Sequence, residues 1–165
     1  IFVTQKSGGK WKDIKNLGKI VNTKDNDGEP FISADGNILI FASTRPGGQG
    51  STDIWMTSRT ESGWNKPWNV GTPINSKHEE SQPFLTQDGN EVFFMAVNRD
   101  NVPGPAVFRS LKGKESWGKP EVIVSGMVGE PTLTADKQYL YFVHLIMKGG
   151  KLVDAEIMFT RRLEK

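Results

Sequence analysis

The stretch SADGN at 33–37 returns as TQDGN at 86–90 and, altered, as TADKQ at 134–138. A turn made three times at near-constant spacing constrains the fold more than anything else in the chain, because a period of a few tens of residues means an array of like units. Other markers keep the same step. Trp11, Trp64 and Trp117 lie 53 and 53 residues apart, and Asp35, Asp88 and Asp136 lie 53 and 48 apart. Pro30, Pro83 and Pro131 repeat the intervals 53 and 48. NLGKIVN at 16–22 aligns with NVGTPIN at 69–75 without a gap, and the third unit is five residues shorter between Trp117 and Glu130.

Each unit reads as four short strands. The first is EPFIS, QPFLT or EPTLT, and the second is ILIFAS, EVFFMA or YLYFVH. The third is DIWMTS, AVFRSL or EIMFTR, and the fourth follows the Trp as KDIKNL, KPWNVG or KPEVIV. These runs are rich in β-branched and aromatic residues and bounded by Gly, Pro, Asp or Asn, the composition of strands. No window carries the apolar i, i+3, i+4, i+7 stripe of a helix, and 18 Gly and 9 Pro in 165 residues argue against long helices. The fold class is therefore all-β. Four antiparallel strands in each unit of about 50 residues are blades of a β-propeller.

The run EPFISADGNILIFASTRPGGQGSTDIWMTSRTESGWNKPWNVGTPIN resembles the TolB-like, WD-related propeller repeat. Its pattern is P-x-x-S-x-D-G-x-x-L-x-F-x-S-x-R, a Gly-rich loop, D-I-x and G-W-x-x-P. The second unit departs from it with AVF where DIW is expected, and the third lacks the turn glycine. The resemblance covers the whole chain and is nearest to propellers of bacterial envelope proteins and lipoproteins, including those joined to OmpA-type peptidoglycan-binding domains. It implies a periplasmic or surface-attached protein that binds a protein or an envelope polymer such as a peptidoglycan-associated polysaccharide. A cytoplasmic location stays open; the chain opens on Ile1 without a leader and reads as processed or truncated, which leaves room for a removed signal peptide.

IFVT at 1–4 sits where DIWM sits 53 residues later, so the chain begins in a third strand, and it ends in another, EIMFTRRLEK. The expected division of 1–165 is a half blade (1–22), two blades (23–75 and 76–124) and a three-stranded incomplete blade (125–165). About three blades cannot close a ring, which takes at least about four. Either they belong to a larger propeller, or chains assemble. Open blade edges would make a homo-oligomer an outcome of the second.

Strand direction sorts the loops. The Asp-Gly and Trp turns share one face. The opposite face collects 23–29, 44–52, 76–81, 97–105 and 145–154, which are polar and differ between units, as ligand-carrying loops do. The candidate ligand-binding residues on this face are Asp27, Glu29, Arg45, His78, Glu80, Arg99 and His144. Arg45 and Arg99, 54 residues apart, could grip a carboxylate or phosphate, or could pair with a neighbouring blade's acid or with loop carbonyls. Glu29, Glu80 and Glu130 precede first strands and could bind a cation or sugar hydroxyl, or bond the channel-wall backbone. His78 and His144 lack the spacing of a metal pair, and DNDG at 25–28 fails as a calcium loop because its twelfth position is Ala34 rather than Glu.

No cofactor and no metal is expected. There is no P-loop, no G-x-S-x-G elbow, no cysteine and no dense Lys/Arg stripe for nucleic acid in a chain of formal charge +2. No apolar run is long enough for a transmembrane helix. The reading is a binding module, leaning away from an enzyme. The alternatives are a carbohydrate-active hydrolase or lyase with acids at the channel mouth, and self-assembly through open edges.

Overall fold

The computed structural model describes residues 1–162; the end of the last expected unit, 163–165, lies outside the described residues. Every described strand pairing within the sheets is antiparallel, and neighbours in each sheet follow chain order. Strands β1 (Phe2–Ser7) and β2 (Lys10–Asn16) form a two-stranded sheet. In the next, β3 (Asp27–Ile32), β4 (Ile38–Ser43) and β5 (Asp53–Thr60) are followed by the short β6 (Gly63–Trp64) and β7 (Trp68–Asn69), both paired to β5. The third sheet is β8 (Glu79–Leu85), β9 (Glu91–Val97), β10 (Pro105–Leu111) and β11 (Glu121–Ser125). The last is β12 (Val128–Leu133), β13 (Tyr139–Lys148) and β14 (Lys151–Arg161).

The sheets stack face to face, which explains why the second strands read as unbroken apolar runs rather than alternating ones. Side chains still alternate with period two. In β4, Ile40 enters the core between the second and third sheets with Ile54, Phe94 and Phe108, while Leu39 and Phe41 pack the other way with Val21 and Trp55. In β9, Phe94 joins the first of these cores and Phe93 the next, with Val107, Val128, Leu140 and Phe142. The aromatic second strand is the central layer of each blade. Phe94 and Phe108 stack with ring centroids 5.8 Å apart.

Two expectations need correction. The stretch 145–154 was expected as a variable loop, but β13 and β14 run on through it as a long hairpin joined at Gly149 and Gly150, with φ of 57° and 75°. A Gly-Gly pair between apolar runs is a two-residue hairpin signal, since both central residues need positive φ. The fourth strand of the second sheet is also broken into two short pieces. Pro67, which donates no backbone hydrogen bond, lies between them.

The repeated turn is the same in all three units. Asp35 accepts from the Ser33 hydroxyl and the Asn37 amide; Asp88 from Thr86 and Asn90; Asp136 from Thr134 and Gln138. Lys137 keeps the left-handed backbone of the glycines it replaces, with φ of 60° against 74° at Gly36 and 68° at Gly89. Its ammonium reaches across to the third sheet, donating to Asp88 at 2.7 Å and Glu91 at 3.0 Å. The Lys137 hydrogen bond is the largest cause of a strongly lowered Asp88 carboxyl, and Asp88 in turn raises Lys137. Lys137→Gly therefore removes about 1 kcal/mol of left-handed strain and loses an inter-blade tie of similar size, screened by salt. Denaturation is expected to show little change at low ionic strength and a net stabilisation at high salt. A salt-independent loss would mean that the tie is not electrostatic.

Candidate functional site

Chain direction places the starts of β3 and β8 and the ends of β4 and β9 on one face, with the linkers 17–26 and 70–78. The candidate arginines sit there, but turned inward. Arg45 donates through Nη2 to Asp27 Oδ1 at 2.5 Å and to the Val21 carbonyl at 2.6 Å, and through Nε to Ser43. Arg99 donates through Nη1 to Glu80 at 3.2 Å and to the Ile74 carbonyl, and through Nη2 to the Pro73 carbonyl. Each guanidinium lies over two aromatic rings, Phe41 and Trp55 for Arg45 and Phe94 and Phe108 for Arg99. Each arginine thus fastens the linker that leads into its sheet to the first strand of that same sheet. Their acid partner belongs to their own blade, not to a neighbouring one.

The two latches are built alike and titrate oppositely. Burial pushes Asp27 up, but the Ser43 hydroxyl, the Thr23 amide and Arg45 together outweigh it and hold the carboxyl below its ordinary range. Glu80, whose side chain is wholly buried, is raised: desolvation exceeds what Ser76 and Arg99 return. At the same place in the fourth sheet stands Val128, an apolar solution to the same position.

Glu29, Glu80 and Glu130, expected as equivalent channel-wall acids, do not occupy equivalent positions. The equivalent positions are Glu29, Gln82 and Glu130, each left-handed (φ 50°, 52° and 52°) at a bulge in its first strand. They form a relay between blades. Gln82 donates its backbone N–H to the Glu29 carboxylate at 2.9 Å, and Glu130 donates its own to the Gln82 side-chain oxygen at 2.7 Å. A bulge frees one backbone donor in a first strand, and in β8 and β12 the preceding blade's side chain caps it. The sequence offsets of 53 and 48 would have revealed this, had Gln82 been counted with the acids.

A second repeated device is the motif NLGKIVN/NVGTPIN. Asn16 accepts from Gly18 N–H and from the Asn22 side chain; Asn69 accepts in the same way from Gly71 and Asn75, all at 2.7–2.8 Å. The second asparagine then clasps a third strand: Asn75 accepts from Ile54 N–H at 2.9 Å and donates to the Ile54 carbonyl at 2.8 Å. Asn22 holds Ile1 in the same way.

Between the inner strands β3 and β8 the loop face opens into a cleft of about 320 Å³, walled by Asn26, Glu29, Thr44, Thr52, Glu79 and Ser81. Ser81 is 4% exposed, and its hydroxyl has no hydrogen-bond partner among the described residues. Of the candidate residues, Asp27 and Glu29 line this cleft. Arg45, Glu80 and Arg99 are buried and do not line it, and His78 lies half-buried on the linker before β8. His144 is apart from them, within β13 opposite Val128 and Glu156. Asp27 also accepts from Thr23, a contact that closes the turn around DNDG. The opposite face holds another cleft, of about 260 Å³, lined by Phe31, Phe84, Leu133 and the Asp-turn residues. Its walls are largely apolar, and its lysine, Lys137, is already ion-paired. The polar cleft is the better candidate for recognition.

The tryptophans divide. Trp55 is buried and Trp64 and Trp117 are half-buried against the cores, whereas Trp11 is 69% exposed on β2.

No family profile and no curated protein matches the sequence. Among solved structures the chain is similar to the crystal structure of TolB from Acinetobacter baumannii, with a TM-score of 0.61 and 19% identity over 97% of this chain. It spans 34% of that protein's length. The described residues hold no helix long and apolar enough to cross a membrane. Stacked antiparallel sheets in sequential order, together with this likeness, make the fold that of a TolB-like β-propeller.

Proposed function

We propose that the chain is a non-enzymatic propeller module, in a protein of the bacterial envelope, that binds a protein or an envelope polymer through its loop face. The observation that carries this reading is the polar cleft between β3 and β8, where a buried Ser81 hydroxyl without a partner stands beside Glu29 and Glu79. Buried hydroxyls are ordinarily paired, and a polar cleft at a propeller mouth with an unspent hydroxyl suits a hydroxyl- or amide-bearing ligand. Asp27, Arg45, Glu80 and Arg99 shape the face rather than touch the ligand, because their charged groups are tied to one another in the latches, and Arg99, whose Nε has no hydrogen-bond partner among the described residues, is only 5% exposed. A stability loss on Glu80→Gln therefore carries no information about turnover.

The test is binding to a panel of envelope glycans, cell-wall fragments and purified envelope proteins. Ser81→Ala and Glu79→Gln are expected to weaken binding about tenfold, the worth of one lost hydrogen bond to a charged or buried partner, with unchanged thermal unfolding. Turnover of a glycan by the unmodified protein, or retained binding in both variants, would overturn the proposal.

A further inference from the structure

A third cleft, of about 730 Å³, opens at the outer rim of the blade built on β3–β7. Its walls come from the linker (Lys19, Ile20), from Pro46 in the loop after β4, and from Trp55, Lys66 and Asn69. Both the linker and that loop belong to the loop face.

Two side-chain donors at this wall have no acceptor among the described residues: Trp55 Nε1 and Asn69 Nδ2. Trp55 is 7% exposed. The Asn69 amide cannot simply be reversed, because its oxygen already accepts from Gly71 N–H and from Asn75, so the nitrogen is fixed as the free donor. Trp55 and Asn69 are direct cross-strand partners. The equivalent pair in the next blade is Phe108 and Val122, which are also in register. The fold thus fills this position with hydrocarbon elsewhere in the same chain, and packing does not call for either N–H group. Buried donors without partners are costly, and a pair of them side by side needs its own account.

The charges point the same way. Lys19 and Lys66 stand exposed at the rim, and neither is within an ion pair among the described residues. No carboxylate lines the cleft, and the one further cation, Arg45, is held by Asp27. Ile20, Pro46 and Pro67 supply apolar wall. The volume falls within the range of small-ligand sites, which are mostly apolar with a few convergent polar groups.

We infer that this cleft is a binding site for a carboxylate-bearing saccharide. The two carboxylate oxygens accept from Trp55 Nε1–H and Asn69 Nδ2–H, the ammonium groups of Lys19 and Lys66 balance the charge, and the sugar ring lies against Ile20 and Pro46. The donors are screened from bulk solvent. A ligand reaches them through rotation of the exposed neighbouring side chains, a picosecond-to-nanosecond motion. This deepens the loop-face reading, since it adds a ligand class on that face, yet it uses none of the residues of the cleft between β3 and β8.

The experiment is a titration of ¹⁵N-labelled protein with glucuronate, glucose and inorganic phosphate, following the indole N–H resonance assigned to Trp55. Glucuronate is expected to move that resonance downfield in a saturable manner, with glucose and phosphate at least tenfold weaker. Trp55→Phe, the residue the next blade uses in that place, removes one donor while keeping the packing. Lys66→Glu reverses a surface charge. Each is expected to weaken glucuronate about tenfold or more, the worth of one charge-assisted hydrogen bond, with thermal unfolding little changed. Equal binding of glucuronate and glucose, phosphate binding as tight as glucuronate, unchanged affinity in Trp55→Phe and Lys66→Glu, or no binding would each overturn the inference. If glucuronate fails while Ser81→Ala still weakens envelope binding, this inference falls and the loop-face reading stands.

Discussion

Arg99→Met is expected to destabilise the protein by about 3–5 kcal/mol at neutral pH, the cost of stranding one partner of a buried ion pair. Glu80 is wholly buried and would keep only the hydrogen bonds from Ser76. The carbonyls of Pro73 and Ile74 would lose their donor, and the cation lying over the Phe94 and Phe108 rings would go. The pH dependence has a definite sign. Because burial raises the folded-state pKa of Glu80, the stability contributed by its neutral form is fully present below the ordinary glutamate value. It is lost as pH rises through the folded value. Removing Arg99 raises that folded value further, so the penalty should be smaller at acid than at neutral pH. The pair Arg99→Met with Glu80→Gln should cost less than the sum of the two single changes. Urea unfolding at both pH values checks this. A loss below about 1 kcal/mol, or one independent of pH, would contradict the latch as described. Val128 at the equivalent place in the fourth sheet shows that hydrocarbon can fill the position, which fits the finding that a buried ion pair is not needed for stability once both partners are removed together.

Asn75→Leu is expected to cost about 1–3 kcal/mol, from the buried Ile54 N–H left unpaired; the Ile54 carbonyl keeps its hydrogen bond from the Val70 N–H. Asn75 is fully buried, and its side chain satisfies both the N–H and the carbonyl of Ile54 while anchoring Asn69. Ile54 begins the third strand on the core side, so the clasp fixes where β5 enters the sheet. Asn22→Leu makes the same chemical change in the equivalent motif, but its site is only part-buried and water can replace what is lost. Its cost should be under about 1 kcal/mol. Thermal unfolding of the two variants side by side gives the comparison, and equal losses would mean that burial does not set the value of the clasp.

The strands and turns were legible in the sequence because each is written locally. Alternation, β-branched residues and Asp-Gly turns need no distant partner to be recognised, and repetition at 53 and 48 residues multiplied each signal. The hairpin at Gly149 and Gly150 was legible too, through its dipeptide, but the loops of the earlier units suggested a loop there instead. Strand direction in the sequence was enough to bring Asp27, Glu29, Arg45, Glu80 and Arg99 to one face, yet their hydrogen-bond partners could not be read. Arg45 next to a polar loop looks the same in sequence whether its guanidinium points to solvent or lies under Trp55. Glu80 and Asp27 occupy one structural position and respond to opposite shifts, because burial differs between them.

What the sequence determined by itself, then, is the period, the first three strands of each unit and the turn chemistry, all carried by short-range patterns. Tertiary structure alone decided which polar groups are spent and which are free. A side chain's partner in a stacked-sheet fold lies about one blade away in sequence, as Gln82 N–H finds Glu29, and only the packing shows whether that partner is there. The opening turn is a case of both. Its Asp and Gly could be read directly, but the reason Lys137 tolerates a left-handed backbone is an ion pair with the neighbouring blade.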